Sequence, residues 1–200
     1  MDRGHSSFAG EPAPGQDRRP VGPSRTAIGA AVARAVHQVV DGARVFTDPL
    51  ALAVLGMSEH DFADRQRIET LFPTDARLFI AGRQRFAEDA LKDAVSSGTA
   101  QVVLLGAGID TLAYRADLPD CTIWELDQPP TQQWKRRRLA AAGIAEPDNV
   151  RFAPIDFATD SLHDVLSSAG FDRHAPAFYM WLGVVPYLTL GSVRATLQYI

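Results

Sequence analysis

From Ser24 onward the chain switches between two kinds of apolar spacing. Ile28, Ala31, Val32, Ala35, Val36 and Val39 recur at helical intervals and predict a helix with one apolar face, ended by Asp41-Gly42. Thr47-Asp-Pro-Leu50 predicts a second helix start, with Pro49 in the tolerated first turn and Gly56 as the stop. A long helical pattern then runs from about Thr74 to Ser97. Phe79, Phe86, Ala90 and Ala94 share one face of it, Arg83 falls in the middle of that face, and Arg77 and Arg85 point elsewhere. After this the period changes. Val102 to Leu105 are four unbroken apolar residues, the pattern of a strand buried on both faces. Ile123–Asp127, Asn149–Asp156 and Pro176–Leu182 read as three further strands. Thr131–Ala142 and Leu162–Ala169 read as helices between them, and another helix starts near Thr189.

Strands alternating with helices imply an α/β fold with a doubly wound parallel sheet. The expected spatial order of its strands is third, second, first, fourth. Residues 24–98 form a helical cap ahead of the sheet in 99–200. Residues 1–23 carry Pro12, Pro14, Pro20 and Pro23 with little apolar surface, and are expected to be a disordered arm.

Composition changes this picture little. Of 200 residues, 46% are hydrophobic and 22% charged, ordinary values for a globular domain. A net charge of -4 argues against nucleic acid as a partner. Cys121 is the single cysteine, so no disulfide framework exists and a reducing cytoplasm is the expected compartment. No apolar run is long enough for a membrane span. The five histidines show no ligand spacing, so no metal site is expected. Lys135-Arg-Arg-Arg138 spreads around its helix and reads as a solvated face.

The candidate chemistry sits where the first strand ends. Gly106 and Gly108 follow Leu105 at once, and Asp110-Thr111 can cap the next helix, the geometry that lets a ligand lie against bare backbone. The next strand ends in Asp127, about 20 residues on, where a carboxylate can accept from two ribose hydroxyls. Glu125 lies on the same face by period-2 alternation and is the near alternative, with Asp127 closer to the strand end. Thr111 occupies the third glycine position of a dinucleotide fingerprint, and Asp110 stands where a pyrophosphate would sit. Both features favour S-adenosyl-L-methionine, with its sulfonium and amino group, over NAD. Arg83, on an apolar face, needs an anionic partner, either a structural carboxylate or that of a ligand. Asp156-Phe157, at the end of the third strand, is either a turn or an acceptor and aromatic pair suited to adenine.

The strings Gly106-Ala-Gly-Ile-Asp-Thr-Leu-Ala-Tyr-Arg115 and Trp124-Glu-Leu-Asp-Gln-Pro129 resemble the leucine carboxyl methyltransferase family. The likeness is to its bacterial branch of S-adenosylmethionine-dependent methyltransferases and polyketide O-methyltransferases, from about Ser24 to the end of the chain. It implies a class I methyltransferase (Rossmann-like) fold, an enzyme, and S-adenosyl-L-methionine as cofactor. It also implies that Arg83, first arginine of Arg83-Gln-Arg-Phe-Ala-Glu-Asp89, holds the methionine carboxylate, and that Asp156 and Phe157 contact adenine. Gly106, Gly108 and Asp127 complete the expected cofactor residues. The family often has a glutamate between the tryptophan and glycine of Trp181-Leu-Gly183. Here Leu182 stands there, so that contact does not carry over. Tyr187 matches a family tyrosine and could line the methyl-transfer cavity or belong to the core. No catalytic residue is identified.

The expected reaction is O-methylation of a carboxylate or hydroxyl on a small molecule. The alternatives are an NAD(P)-dependent Rossmann oxidoreductase and a non-catalytic module that binds S-adenosylmethionine. The family's sheet continues beyond the fourth strand, so the C-terminal strands are expected to be missing. The fourth strand, Ala177–Leu182, then forms an uncharged edge expected to pair with another chain.

Overall fold

The computed structural model describes residues 22–200, and nearly all of the arm expected over 1–23 lies outside the described residues. Helix α1 (Arg25–Val40) begins at Ser24, whose hydroxyl accepts from the Ala27 N–H, and stops at Asp41. Helix α2 (Ala51–Leu55) ends at Gly56, left-handed at φ 63°. It starts later than Thr47-Asp-Pro-Leu50 suggests. The Asp48 carboxylate accepts from the Leu50 N–H at 3.0 Å and is buried, which leaves Pro49 in the approach to the helix. A short 3-10 turn at Glu59–Phe62 and helix α3 (Arg65–Leu71) follow, neither marked by apolar periodicity. Helix α4 (Thr74–Ser96) closes the cap.

The buried side of α4 differs from the expected one. Phe79 and Phe86 are 68% and 77% exposed, while Arg77, Ala81, Gln84, Ala87, Glu88 and Leu91 face inward. Arg77 is fully enclosed and paired, donating to Asp41 at 2.9 Å and Glu69 at 2.8 Å. A buried guanidinium with carboxylates on two sides is satisfied, and a pattern of apolar residues cannot register that.

The sheet consists of β1 (Gln101–Leu105), β2 (Thr122–Asp127), β3 (Val150–Pro154) and β4 (Ala177–Met180), all parallel, in the spatial order β3-β2-β1-β4. Helix α5 (Leu112–Arg115) follows β1, and α6 (Pro129–Ala141) follows β2. Helix α7 (Leu162–Ser168) follows β3, and α8 (Leu190–Tyr199) comes after β4. Val102, Leu104 and Ile123 pack under Ala87 and Leu91 of α4 on one face. Val103, Leu105, Trp124 and Leu126 meet Leu162 and Leu166 of α7 on the other, as in a doubly wound sheet. The cap helices join through a third cluster in which Ala31, Ala35 and Val36 of α1 meet Val54 and Leu55 of α2 and Leu139 of α6. No helix among the described residues is long and apolar enough to cross a membrane.

The Lys135–Arg138 run departs from the solvated reading. Lys135 is buried, and its ammonium donates to both oxygens of Glu125 at 2.7 and 2.8 Å. Arg138 reaches back to the Leu55 carbonyl, while Arg136 pairs with Glu146 at the surface.

Candidate functional site

The C-terminal ends of all four strands open into one cleft of about 970 Å³, covered by α1 and α4. The topology puts it there. In a sheet of order β3-β2-β1-β4 the chain steps from β1 to β2 in one direction and crosses from β3 to β4 in the other, and a crevice forms where the order reverses, between β1 and β4.

The turn after β1 forms the floor. Gly106 and Gly108 take φ of 67° and 53°, the left-handed region that favours glycine. A Cβ on Gly106 would stand 2.4 Å from Cγ2 of Val184, and one on Gly108 would stand 3.1 Å from Cβ of Ala27. The turn is squeezed between α1 and the segment after β4, so both glycines are required whether or not a ligand lies on them.

Asp127 sits at the tip of β2. Its two oxygens accept from the Gly108 N–H and the Gln128 N–H, both at 2.7 Å. Burial pushes its carboxyl above the ordinary aspartate range, against the pull of those two donors. The Thr131 hydroxyl also stabilises the charged form, and the carboxylate still has lone-pair capacity toward the cleft. Glu125, the near alternative, is two residues back from the strand end. It is covered by α6, enclosed with Lys135, and absent from the cleft wall. Burial raises its carboxyl as well, outweighing the Lys135 ammonium.

Arg83 is half-buried and reaches the cleft from the flank of α4. Its guanidinium lies on the Cα of Gly183, where a Cβ would come within 2.6 Å of a terminal nitrogen. The buried Nε has no hydrogen-bond partner, and no carboxylate among the described residues forms an ion pair with Arg83. Burial, then the nearby Arg34, pull its pKa down from the usual arginine value. Arg85, two residues on, faces solvent and pairs with Asp89 at 2.5 Å. Asp156 and Phe157 follow β3 on the third side. Asp156 accepts from the Ala158 N–H at 3.0 Å, and Phe157 packs its ring against the α7 core. All six expected residues, Arg83, Gly106, Gly108, Asp127, Asp156 and Phe157, therefore line the same cleft. Leu182 and Tyr187 line it too, Tyr187 at 66% exposure.

Arg34 and Gln84 line the cleft without having been singled out in the sequence, and they join Asp110 there. They belong to a buried polar chain that ties the cap to the glycine turn. Arg34 donates to the Ile109 carbonyl at 2.5 Å and approaches Asp48 at 3.4 Å. Asp48 accepts from the Thr111 hydroxyl at 2.8 Å, and that hydroxyl accepts from Arg115 at 3.0 Å. Arg115 grips Glu88, Glu88 accepts from Gln84 at 2.9 Å, and Gln84 donates to Asp110 at 2.8 Å. Burial works to raise the Asp110 carboxyl, yet Arg34 and Arg115 carry it below its ordinary value, so it is ionised. The sequence does carry a signal for Arg34, a cation set between Ala31 and Ala35 on the apolar face of α1.

The family model for leucine carboxyl methyltransferase matches residues 27–200. The chain belongs to the leucine carboxyl methyltransferase family. Among its relatives are proteins whose names assign them an inferred S-adenosyl-L-methionine-dependent methyltransferase activity. One from Mycobacterium sp. (strain JLS) is 34% identical over 186 residues, covering 84% of this chain and 58% of that protein. One from Frankia alni is 34% identical over 169 residues, covering 82% of this chain and 55% of that protein. The chain thus spans a little over half the length of these relatives. The crystal structure of the S-adenosylmethionine-dependent methyltransferase SibL in its apo form aligns with a TM-score of 0.41 and 17% identity. That alignment covers 86% of this chain and 53% of SibL, and is too loose to add to the assignment. Membership in the family agrees with the α/β class I methyltransferase-like sheet seen here.

Proposed function

We propose that the cleft holds S-adenosyl-L-methionine and that the protein is a methyltransferase acting on an oxygen of a small molecule, a carboxylate or a hydroxyl. The observation that carries this reading is the Arg83 guanidinium, presented to the cleft without an anionic partner. A half-buried cation whose Nε is enclosed without a partner calls for a ligand carboxylate. The other residues fit the same cofactor. Gly106 and Gly108 line the cleft with the glycine turn, Asp127 has lone pairs left for ribose hydroxyls, and Asp156 with Phe157 suits an adenine amino group and ring. When bound, the cofactor supplies a methyl group on a sulfonium, ready for displacement. The chain's task is then to align an acceptor oxygen and keep water out. Leu182, Val184 and Tyr187, on the wall after β4, would bound the acceptor side. A carboxylate acceptor is ionised at neutral pH and needs no general base. A cytoplasmic setting suits the lone, buried Cys121.

A nicotinamide-dependent oxidoreductase is the weaker reading, because the ionised Asp110 would face its pyrophosphate. Incubation with methyl-labelled S-adenosylmethionine and a metabolite extract tests the proposal. Label that alkali releases as methanol indicates a methyl ester, and alkali-stable label indicates a hydroxyl acceptor. Stabilisation by NADH or NADPH, and not by S-adenosylhomocysteine, in a thermal-shift series would reverse the choice. Cofactor binding without transfer to any acceptor would reduce the protein to a binding module.

A further inference from the structure

The cleft presents a second unspent charge besides Arg83. Asp110 is ionised and lines the same wall, yet the two are not an ion pair. Arg83 feels the charge of Asp110 without pairing with it. An α-amino acid carries its ammonium and carboxylate on one carbon, so a site for it needs an anion and a cation a few ångströms apart and not in contact. Asp110 and Arg83 supply such an anion and cation to one cleft without forming an ion pair.

We infer that Asp110 receives the ammonium group of the bound cofactor, and that Gln84 is the positioning residue that aims it. The inference rests on the cofactor reading given above and extends it to a group that reading leaves unassigned. The Asp110 carboxylate is held at two points. One oxygen accepts from the Leu112 N–H at 2.8 Å, the other from the Gln84 side chain at 2.8 Å. Two of its four lone-pair directions remain for a ligand. Gln84 is itself fixed, because its amide nitrogen donates one proton to Asp110 and the other to Glu88 at 2.9 Å. Turning the amide over would set its oxygen against two carboxylates, so a single orientation survives. Glu88 is neutralised by Arg115. The chain from Arg115 to Asp110 therefore ends in one carboxylate that is charged, oriented and open to the cleft. Together with Arg83 it forms a clamp that selects a zwitterionic end group and rejects an adenosine ligand lacking one of the two charges.

The test pairs a deletion in the protein with a deletion in the ligand. The full chain and its variants are titrated calorimetrically with four thioethers of adenosine. These are S-adenosylhomocysteine, its desamino analogue, its decarboxylated analogue and 5′-methylthioadenosine. Asp110→Asn should weaken the two amine-bearing ligands by about 10- to 100-fold, the loss of a charge-assisted hydrogen bond. It should leave the desamino analogue and 5′-methylthioadenosine within about 2-fold. Arg83→Ala should show the mirror pattern, acting only on the carboxylate-bearing ligands. If Asp110→Asn disturbs the glycine turn, all four ligands will weaken together, and Gln84→Met then decides. It leaves Asp110 in place and should still selectively weaken the amine-bearing pair. Equal losses on all four ligands in both variants, or no loss in either, would overturn the clamp while leaving the cofactor assignment intact. Failure of the unaltered chain to bind S-adenosylhomocysteine would overturn both.

Discussion

Asp127 is partly buried and yet must stay ionised to serve as a ribose acceptor. Its carboxyl is pushed above the ordinary aspartate value of 3.8 by burial, and the Gly108 and Gln128 N–H groups only partly offset this. The charged form is the one that can accept two ribose hydroxyls. As pH falls, Asp127 takes up its proton at a higher pH than an ordinary aspartate. The affinity for S-adenosylhomocysteine should therefore weaken on the acid side of neutrality, before pH 3.8 is reached. Asp127→Asn should lower affinity at neutral pH by about 1.5–3 kcal/mol and flatten this acid limb, as read by calorimetry across pH. Glu125→Gln should leave binding nearly unchanged and lower the melting temperature instead, because the enclosed Lys135 loses the carboxylate it pairs with. A silent Asp127→Asn beside a damaging Glu125→Gln would exchange the two roles. Period-2 alternation alone left both carboxylates open, since both belong to one face. What separates them is Lys135, which sits in a run of four cations that looks like an ordinary solvated face.

The strands were legible as elements because a parallel sheet buried on both faces leaves unbroken apolar runs, as in Val102–Leu105. Helix α4 was legible in extent, and its orientation was not. Its buried face carries Arg77, Gln84 and Glu88, each satisfied by partners outside the helix: Asp41, Asp110 and Arg115. Helical periodicity weighs apolar residues alone and so settled on the side of Phe79 and Phe86. Arg83 was singled out from that face, and it reaches the cleft from the flank for a different reason, its seat on Gly183. The polar, short Glu59–Leu71 segment gave no periodic signal at all. The orientation found here has a direct consequence for stability. Phe86→Ser should change the unfolding free energy by no more than about 0.5 kcal/mol, as for an ordinary surface position. Arg77→Ala leaves Asp41 enclosed without its cation and should cost about 3–5 kcal/mol. Denaturant melts of the two variants check this, and a larger loss for Phe86→Ser would restore the apolar face to the core. The Asp41 carboxyl is held below its ordinary value, first by its hydrogen bonds from Arg77. Its contribution is fully present above about pH 4 and is lost as pH falls through the lowered value.

Over the whole molecule, the two sheet edges are built differently. β3 carries the exposed Arg151 and ends in Pro154, the usual protections of an edge. β4 carries Ala177, Phe178, Tyr179 and Met180 with no charge, and among the described residues its outer edge pairs with nothing. Exposed apolar side chains stand in the layers on either side, Phe79 and Phe86 on α4, Leu190 and Leu197 on α8. A second copy related by a two-fold axis normal to the sheet would pair β4 antiparallel to itself and set α4 against α4 and α8 against α8. Light scattering should accordingly show self-association that rises with concentration, and a monomer at every concentration would contradict it. The central claim, however, is that the cleft takes S-adenosylmethionine through the carboxylate-seeking Arg83. Calorimetric titration of S-adenosylhomocysteine into the unaltered chain, Arg83→Ala and Arg85→Ala tests it most directly. The account predicts saturable binding that Arg83→Ala weakens by roughly 2–5 kcal/mol and Arg85→Ala leaves alone. Equal losses in the two variants, or no binding by the unaltered chain, would contradict it.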